Sequence, residues 1–569
     1  MKRLALLLVV AAVIAFAARP LAMIPAQVRI DTGLLEGVAG TVHSSVRIFK
    51  GVPFAAPPLG ENRWKAPQPA AKWEGVRKAD AFGPSCTAGG GGGRGRGAAP
   101  GRGGAPGAPG AAPQAAAPPQ AAAPQATPRM PPANEDCLTL NIWTSANNAN
   151  DRRPVMVWIY GGGFTGGSGG MPWYDGEDLA AKGPVIVTFN YRLGALGFFA
   201  HPELAKESGR NASGNYGMMD ALGALQWVKR NIAAFGGDPN NVTIFGESAG
   251  AIMIGALVGS PQAKGLFNRA ILESGSYMGL QMARMAPGAN AQANGVKALE
   301  AAGIKTLAEL RAKPLNELPN LGGGGLVIDG YLIPEDLSIT FAAGRQNDVD
   351  LLAGSNKDEN TFFGGGGRGG GRGGRGGDAA PPPAPGATVE AYIAQAKQRY
   401  GDLADTFLTL YPVKTDADVP LMNAQAQNDE IAWNMRQTAA AQAKKGRRAY
   451  AYFFTRAPLQ DGKPSGRGAT HTAEISYVFN HPYSGNNAPT PLEWNDVDRK
   501  LADTMSSYWV NFATKGDPNG SGLPKWPEYK DLAKDRVMVL GDTVQLEAAP
   551  MTEKNAFFNA RYARLMQSN

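Results

Sequence analysis

The chain has 569 residues, enough for a large hydrophobic core, and 43% of them are apolar, which excludes a chain that is disordered throughout. The net charge of +8 suggests an anionic partner such as nucleic acid. However, the excess positive charge lies in the first residues and in two segments, 88–133 and 364–387. The rest of the chain is close to neutral and gives no reason to expect nucleic-acid binding.

The N-terminus has the pattern of an export signal. Lys2 and Arg3 precede an uncharged apolar stretch, 4–18, which is shorter than the roughly 20 residues of a membrane-spanning helix. A positive start, a short apolar run and small residues at its end are typical of a secretory signal peptide. We predict a signal peptide within 1–26, with its cleavage position open, and a mature chain 27–569 in the periplasm or outside the cell without stable membrane insertion. The alternative is an uncleaved anchor.

Two cysteines, Cys86 and Cys137, flank the first basic segment. In an oxidising compartment two lone cysteines usually pair, so we expect a disulfide; two free thiols are the alternative. Segment 88–133 is largely Gly, Ala, Pro, Gln and Arg, and such a composition cannot offset the entropy of ordering. Segment 364–387 is similar and contains three Arg-Gly-Gly triplets. Both are predicted to be disordered inserts in one domain; RNA binding by the triplets is the alternative.

Short apolar runs alternate with helical stretches along the remaining chain. Continuous apolar runs bounded by Pro or Gly are typical of strands buried on both faces, as in a parallel sheet flanked by helices. The predicted strands are 155–160, 185–189, 242–245, 270–272, 351–353 and 450–454. A helix is predicted over 222–232. The alternation indicates an α/β fold without internal repeats.

A run of three glycines, Gly161 to Gly163, comes directly after the first of these strands. Consecutive glycines let backbone amides approach a ligand without interference from Cβ atoms. We expect the amides of Gly162 and Gly163, together with that of Ala249, to form a three-donor oxyanion hole. A flexible turn is the alternative, and a phosphate-binding loop is not favoured because no Gly-Lys-Ser/Thr follows.

The segment Gly246-Glu247-Ser248-Ala249-Gly250 lies between a predicted strand and a helical stretch. It matches the Gly-x-Ser-x-Gly nucleophile elbow. A tight strand-to-helix turn forces a strained backbone at the serine, so small residues are needed two positions away on either side. The turn exposes the hydroxyl above the sheet, and the pattern therefore predicts Ser248 as a nucleophile.

The base and the acid are less well defined by pattern. In this architecture the chain order is nucleophile, acid, histidine, which favours His471 or His481 among the four histidines. Glu474 lies one helical turn after His471, where its charge can tune the imidazole. A metal site is not favoured, because no second histidine is near. The acid is expected where Asp358 and Glu359 are adjacent, and spacing alone does not choose between them.

Further segments complete a pattern that resembles the type-B carboxylesterases, the α/β-hydrolase family that includes para-nitrobenzyl esterases and cholinesterases. Besides the elbow, the matching segments are 49–55, 134–143, 190–192, 235–239 and 273–275. The resemblance implies an α/β-hydrolase fold with a central, mostly parallel sheet flanked by helices. It also implies a serine esterase that acts on a small-molecule carboxylic ester without a metal or an organic cofactor. It leaves the oligomeric state open.

The resemblance also assigns residues. It implies Ser248 as nucleophile, His471 as general base and acid, and Glu359, rather than Asp358, as the acid that orients the histidine. The implied oxyanion hole is Gly162, Gly163 and Ala249. The implied supporting polar network is Glu247, Ser274 and Glu474. The cysteines resemble the family's loop disulfide, and Arg63 with Glu135 resembles a structural ion pair beside it.

Two features bear on the substrate. Cholinesterases carry a choline-stacking Trp in the disulfide loop, whereas 87–136 contains no aromatic residue here, so choline esters are disfavoured. In the family, triple-glycine oxyanion holes are associated with bulky alcohols, so tertiary-alcohol esters are expected substrates to test. The alternative is a non-catalytic, neuroligin-like binding protein, but all three triad positions are filled.

Overall fold

The computed structural model describes residues 23–86, 133–276, 285–361, 388–484, 490–530, 535–550 and 552–567. The predicted signal peptide and the two inserts therefore lie outside the described residues, apart from 23–26 and Ala133. Among the described residues, no helix is both long enough and apolar enough to cross a membrane.

The strands, in chain order, are β1 (Gln27–Ile30), β2 (Gly33–Glu36), β3 (Val38–Ala39), β4 (Arg47–Pro53), β5 (Val76–Lys78), β6 (Thr139–Thr144), β7 (Arg153–Ile159), β8 (Val185–Phe189), β9 (Gly237–Glu247), β10 (Arg269–Glu273), β11 (Ala286–Pro287), β12 (Val327–Ile328), β13 (Asp350–Asn356), β14 (Ala449–Phe454), β15 (Leu459–Gln460), β16 (Lys463–Pro464), β17 (Tyr483–Ser484), β18 (Thr490–Pro491), β19 (Arg536–Leu540) and β20 (Val544–Ala548).

The α-helices are α1 (Glu177–Ala181), α2 (Gly194–Phe198), α3 (Pro202–Glu207), α4 (Tyr216–Asn231), α5 (Ala249–Gly259), α6 (Gly288–Ala301), α7 (Leu307–Ala312), α8 (Leu337–Ala342), α9 (Val389–Tyr400), α10 (Ala404–Leu410), α11 (Asp418–Lys444), α12 (Ile475–Phe479), α13 (Asp496–Lys515) and α14 (Asn555–Gln567).

Eleven strands form a central sheet in the order β20-β19-β14-β13-β10-β9-β7-β8-β6-β4-β3. The seven strands from β19 to β8 pair in parallel, whereas the pairings at both margins are antiparallel. Every residue of β8 and β13 is buried, as continuous apolar runs require when helices cover both faces. The predicted mostly parallel sheet is confirmed.

The six predicted strands correspond to β7, β8, β9, β10, β13 and β14. The predicted helix starts too late, because α4 begins at Tyr216 rather than at residue 222. Its first turns include Asp220, which is fully buried and paired with Arg192 at 2.7 Å. A buried acid interrupts the apolar periodicity, so the pattern alone did not show the first turns.

The topology brings several loops to one edge of the sheet. The carboxyl ends of parallel strands meet at the same edge, and ligand sites of open α/β sheets form there. The segments that follow β7, β9, β13 and β14 carry the glycine run, Ser248, Glu359 and His471, respectively. The fold thus gathers the predicted site residues from distant parts of the chain.

Candidate active site

Ser248 lies between the last residue of β9 and the first residue of α5. Its backbone has φ 56° and ψ −124°, a strained conformation that non-glycine residues rarely adopt. A Cβ atom at either Gly246 or Gly250 would overlap the carbonyl oxygen of Ile159, which explains why both flanking positions are glycine. Ser248 is partly exposed while Ala249, which follows it, is buried, so the turn presents the serine to solvent.

The glycine run passes beside this turn. A Cβ atom at Gly161 would lie 2.6 Å from Glu247 Oε2 and 2.9 Å from Ser248 Cβ, so the loop comes this close only because it lacks side chains. Gly162 and Gly163 have positive φ angles of 109° and 62° and are exposed. The structure therefore brings the start of the glycine run, at Gly161, next to the predicted nucleophile.

His471 lies in the loop after β14 and is 2% exposed. Its Nδ1 is 2.6 Å from Glu359 Oε2, and Glu359 Oε1 accepts a hydrogen bond of 2.8 Å from the backbone N–H of Asn356. The adjacent Asp358 makes a different contact, since its Oδ2 accepts a hydrogen bond of 2.8 Å from the backbone N–H of Ala469. The two neighbouring acids thus have separate roles, one contacting the imidazole and the other supporting its loop.

The other ring nitrogen of His471 faces a second carboxylate. Its Nε2 lies 3.0 Å from Glu247 Oε1, a contact that the sequence pattern did not predict. Burial by itself lowers the pKa of His471, but the carboxylates of Glu247 and Glu359 outweigh burial and hold that pKa well above its ordinary value of 6.5. The imidazole therefore has a strong affinity for a proton.

Of the supporting network predicted from the family resemblance, Ser274 and Glu474 contact each other, whereas Glu247 contacts His471. Ser274 donates a hydrogen bond of 3.4 Å to Glu474 Oε1, and the side-chain amide of Asn356 donates to Glu474 Oε2. Burial, reinforced by the nearby charges of Glu247 and Glu359, raises the pKa of Glu474 to about 8. Glu474 therefore holds its proton to a higher pH than an ordinary carboxyl group does.

Sequence reasoning missed one further acid, Glu273. It is fully buried at the end of β10, and its Oε1 accepts a hydrogen bond of 2.7 Å from Trp509 Nε1. Burial, with the neighbouring charge of Glu474 adding to it, raises the pKa of Glu273 well above its ordinary value. The only sequence signal was an acid directly after an apolar strand, which does not separate a buried carboxyl from an exposed one.

The alternative base, His481, has a different environment. Its ring centroid lies 6.1 Å from that of Phe479 and 5.6 Å from that of Tyr483. Burial lowers the pKa of His481 to about 4, since no carboxylate within ion-pair distance of it occurs among the described residues. The geometry therefore distinguishes His471, which has carboxylate partners, from His481.

Cys86 and Cys137 form a disulfide. Beside it, Arg63 makes a two-pronged contact with Glu135, with Nε and Nη2 at 2.7 and 2.5 Å from the carboxylate oxygens. The remaining guanidinium nitrogen, Nη1, donates to the carbonyl oxygens of Arg311 and Lys313. This arginine thus connects the base of the disulfide loop to the C-terminal end of α7, at Arg311, and to Lys313 directly after it.

Comparisons with known proteins identify the family. The model of the carboxylesterase family matches residues 25–558. The chain is 36% identical to the fumonisin B1 esterase of Sphingopyxis macrogoltabida, over 90% of this chain and 86% of that protein. It is 31% identical to the para-nitrobenzyl esterase of Bacillus subtilis, over 91% of this chain and 96% of that protein.

Solved structures give the same result. A para-nitrobenzyl esterase structure superposes with a TM-score of 0.72 at 29% identity and covers 94% of this chain and 99% of its own. The Geobacillus stearothermophilus carboxylesterase superposes with a TM-score of 0.72 at 29% identity, covering 94% of this chain and all of its own. Together with the family match, these likenesses establish that the chain belongs to the carboxylesterase family and is a carboxylic ester hydrolase with an α/β-hydrolase fold.

Proposed function

We propose that this esterase works through an acyl-enzyme intermediate with Ser248 as nucleophile, His471 as general base and acid, and Glu359 as the group that orients the imidazole. The observation that carries the proposal is the 2.6 Å contact between His471 Nδ1 and Glu359 Oε2, at the sheet edge where the strained elbow presents Ser248. An orienting carboxylate at Nδ1 assigns proton transfer to Nε2, the nitrogen that also lies 3.0 Å from Glu247 Oε1.

The proposed reaction has two halves. Ser248 Oγ attacks the ester carbonyl carbon while His471 takes the hydroxyl proton, and the amides of Gly162, Gly163 and Ala249 stabilise the oxyanion. The C–O bond to the alcohol then breaks as His471 returns the proton to the leaving oxygen. A water molecule, deprotonated by His471, then attacks the acyl carbon, and His471 passes that proton to Ser248 Oγ as the acid leaves.

We further propose that the substrates include esters of bulky alcohols. Gly162 and Gly163 are exposed and have no side chains, so the oxyanion loop leaves room beside the carbonyl carbon. A panel of acetates with primary, secondary and tertiary alcohols tests this: measurable turnover of the tertiary ester is expected, and none would contradict it.

The nucleophile is tested by Ser248→Ala, with Ser274→Ala as a matched control. Both serines directly follow a strand and have nearly the same backbone strain, with φ of 56° and 53°. Ser248→Ala is expected to reduce 4-nitrophenyl acetate turnover by at least about 10⁴-fold, whereas Ser274→Ala retains turnover within about tenfold because it removes one supporting hydrogen bond. Thermal unfolding checks that both variants fold. Unchanged turnover in Ser248→Ala rejects the mechanism.

The orienting acid is tested by Glu359→Gln, with Asp358→Asn as its neighbour control. Glu359→Gln keeps the shape but removes the charge that stabilises the imidazolium, so kcat is expected to fall by about 10²–10⁴-fold. Asp358→Asn keeps an oxygen that can accept from the Ala469 amide, and its kcat is expected to stay within about tenfold. Equal losses in the two variants would mean that Glu359 has only the loop-supporting role of Asp358.

We also propose that the protein is exported and that its signal peptide is removed. The disulfide between Cys86 and Cys137 supports an oxidising location. N-terminal sequencing of the protein recovered from the periplasm or medium gives the cleavage position. A mature protein that still begins with Met1 would contradict the proposal.

A further inference from the structure

One cavity of the protein lies away from the proposed catalytic residues. It has a volume of about 220 Å³, and neither Ser248 nor His471 lines it. It lies between the N-terminal region, the segment around α3 and the start of α4. An apolar cavity of about 150 Å³ already holds a benzene molecule, so this cavity has the volume for one aromatic ring with polar substituents.

The inner wall of the cavity is apolar apart from one hydroxyl. Trp64, Leu204, Ala212 and Met219 are buried residues that line it. Tyr216 also lines it and is 2% exposed. The backbone N–H of Gly214 donates to its oxygen, but the O–H itself has no acceptor among the described residues. Burial raises the pKa of Tyr216, so the hydroxyl keeps its proton. A buried O–H without an acceptor is costly, and a ligand that brings an acceptor atom into the cavity would satisfy it.

The rim of the cavity is polar and carries a net positive charge. Lys65 lies 3.4 Å from Glu207, and the same carboxylate is also paired with Arg311 at 2.9 Å. The guanidinium of Arg210 packs over the Tyr331 ring at 4.6 Å and has no carboxylate within ion-pair distance among the described residues. Arg210 is therefore the cation available to an incoming anion.

The segment that carries Arg210 is held in place by local hydrogen bonds. The hydroxyl of Ser208 accepts from the backbone N–H groups of Arg210 at 3.1 Å and Ala212 at 3.3 Å. Within this segment, Arg210 supplies the cation at the rim and Ala212 forms part of the inner wall.

We propose that this cavity is a binding site for a single-ring aromatic carboxylate with a polar group opposite the carboxylate. The carboxylate pairs with Arg210 and Lys65 at the rim, the ring lies between the buried apolar residues and Tyr331, and the opposite polar group takes the hydrogen bond of the Tyr216 hydroxyl. The site is separate from ester cleavage, and its test measures binding rather than turnover.

The probes are 4-hydroxybenzoate and benzoate, titrated calorimetrically into the full-length protein. A Kd on the order of 1 mM or lower is expected for 4-hydroxybenzoate, within the range open to a ligand of this size. Benzoate lacks the opposite hydroxyl and should bind about fivefold more weakly, the effect of one neutral hydrogen bond. No saturable binding of 4-hydroxybenzoate would overturn the proposal.

Three variants locate the ligand. Tyr216→Phe removes only the hydroxyl, so the protein is expected to fold and the difference between the two probes to disappear. Arg210→Gln should weaken both probes by about threefold to fivefold, with a smaller salt dependence. Ala212→Leu fills the cavity and should abolish binding. If Ala212→Leu folds and binds as before, the ligand lies elsewhere and the proposal is wrong.

The matched control is Arg77→Gln. Arg77 is exposed and its guanidinium also packs over an aromatic ring, that of Trp73 at 5.5 Å, but it does not line the cavity. The Arg77→Gln variant therefore loses the same charge and the same type of ring contact as the Arg210→Gln variant. Both probes should bind this variant with unchanged affinity. An equal loss in the Arg77 and Arg210 variants would reduce the effect to the overall charge of the protein and overturn the rim assignment.

Discussion

The imidazole of His471 lies between two buried carboxylates, Glu359 at Nδ1 and Glu247 at Nε2. A general base must be neutral before it can accept a proton, so these carboxylates determine the pH below which it stops working. Because both negative charges stabilise the imidazolium, they raise the pKa of His471. The acid limb of the rate profile therefore reports on their charges.

This argument predicts the effect of Glu247→Gln on the pH profile. Removing the charge at Nε2 leaves burial and Glu359 in place, so the pKa of His471 falls and the acid limb of kcat/KM moves to lower pH. The measurement is kcat/KM for 4-nitrophenyl acetate across the pH range. Glu61→Gln, at a carboxylate 81% exposed, should leave the limb in place. A limb that stays in place or moves upward in Glu247→Gln contradicts the assignment.

Glu474 leads to a prediction about stability rather than rate. Its pKa is about 8 in the folded protein against an ordinary value of 4.5. Between these values the folded state holds a proton that the unfolded chain has released, so the contribution of Glu474 to stability falls as pH rises and levels off above about pH 8.

Glu474→Gln removes this titration while keeping a polar group of the same shape. The free energy of unfolding of this variant minus that of the parent should be near zero at about pH 4 and rise by about 5 kcal/mol by about pH 9. Urea unfolding at both pH values measures it. A difference that does not change with pH would show that Glu474 ionises as readily in the folded protein as in the unfolded chain.

At the scale of elements, α13 contacts the buried acid Glu273 through one residue and a separate group of polar side chains through its first turn. Its Trp509 donates to Glu273, and near its start Asp498 accepts hydrogen bonds from Arg456 and from the Tyr477 hydroxyl. The helix begins with a capping box, in which Asn495 Oδ1 accepts from the backbone N–H of Asp498 at 3.2 Å. The position of this helix therefore depends on well-defined interactions at its first turn.

Asn495→Ala removes the cap and is expected to lower the free energy of unfolding by about 1 kcal/mol. Asn240→Ala, at an exposed asparagine in β9 that caps no helix, should change it by less than about 0.5 kcal/mol. Urea unfolding of both variants at one pH makes the comparison. Equal losses would show that the capping box contributes nothing specific.

Sequence predicted the elements better than their ends. Strands such as β8 and β13 are continuous apolar runs, which is why pattern alone found them. The start of α4 was missed because Asp220 is buried there in an ion pair with Arg192, and pairing partners 28 residues apart leave no local signal. The same reason explains the contact between Glu247 and His471, which only the assembled sheet brings together.

At the scale of the whole molecule, family resemblance supplied what local pattern left open. The choice between Asp358 and Glu359 rested on it, and the structure gives the physical difference: Glu359 contacts the imidazole and Asp358 the backbone of Ala469. Glu273 was not found by either route, because burial of a carboxyl at a strand end depends on α13 packing over it. Resemblance assigns roles to positions, whereas pKa values depend on the full three-dimensional surroundings.

The bond between Cys86 and Cys137 has a consequence for proteolysis. The two residues are 51 positions apart, with their Cα atoms 5.1 Å from each other, and everything between them is a closed covalent ring. A protease that cuts once inside this ring therefore leaves a single molecule, with Arg63 still holding Glu135 on the far side of the cut. Only a reductant separates the two pieces, so a nicked esterase migrates as one chain until its disulfide is reduced.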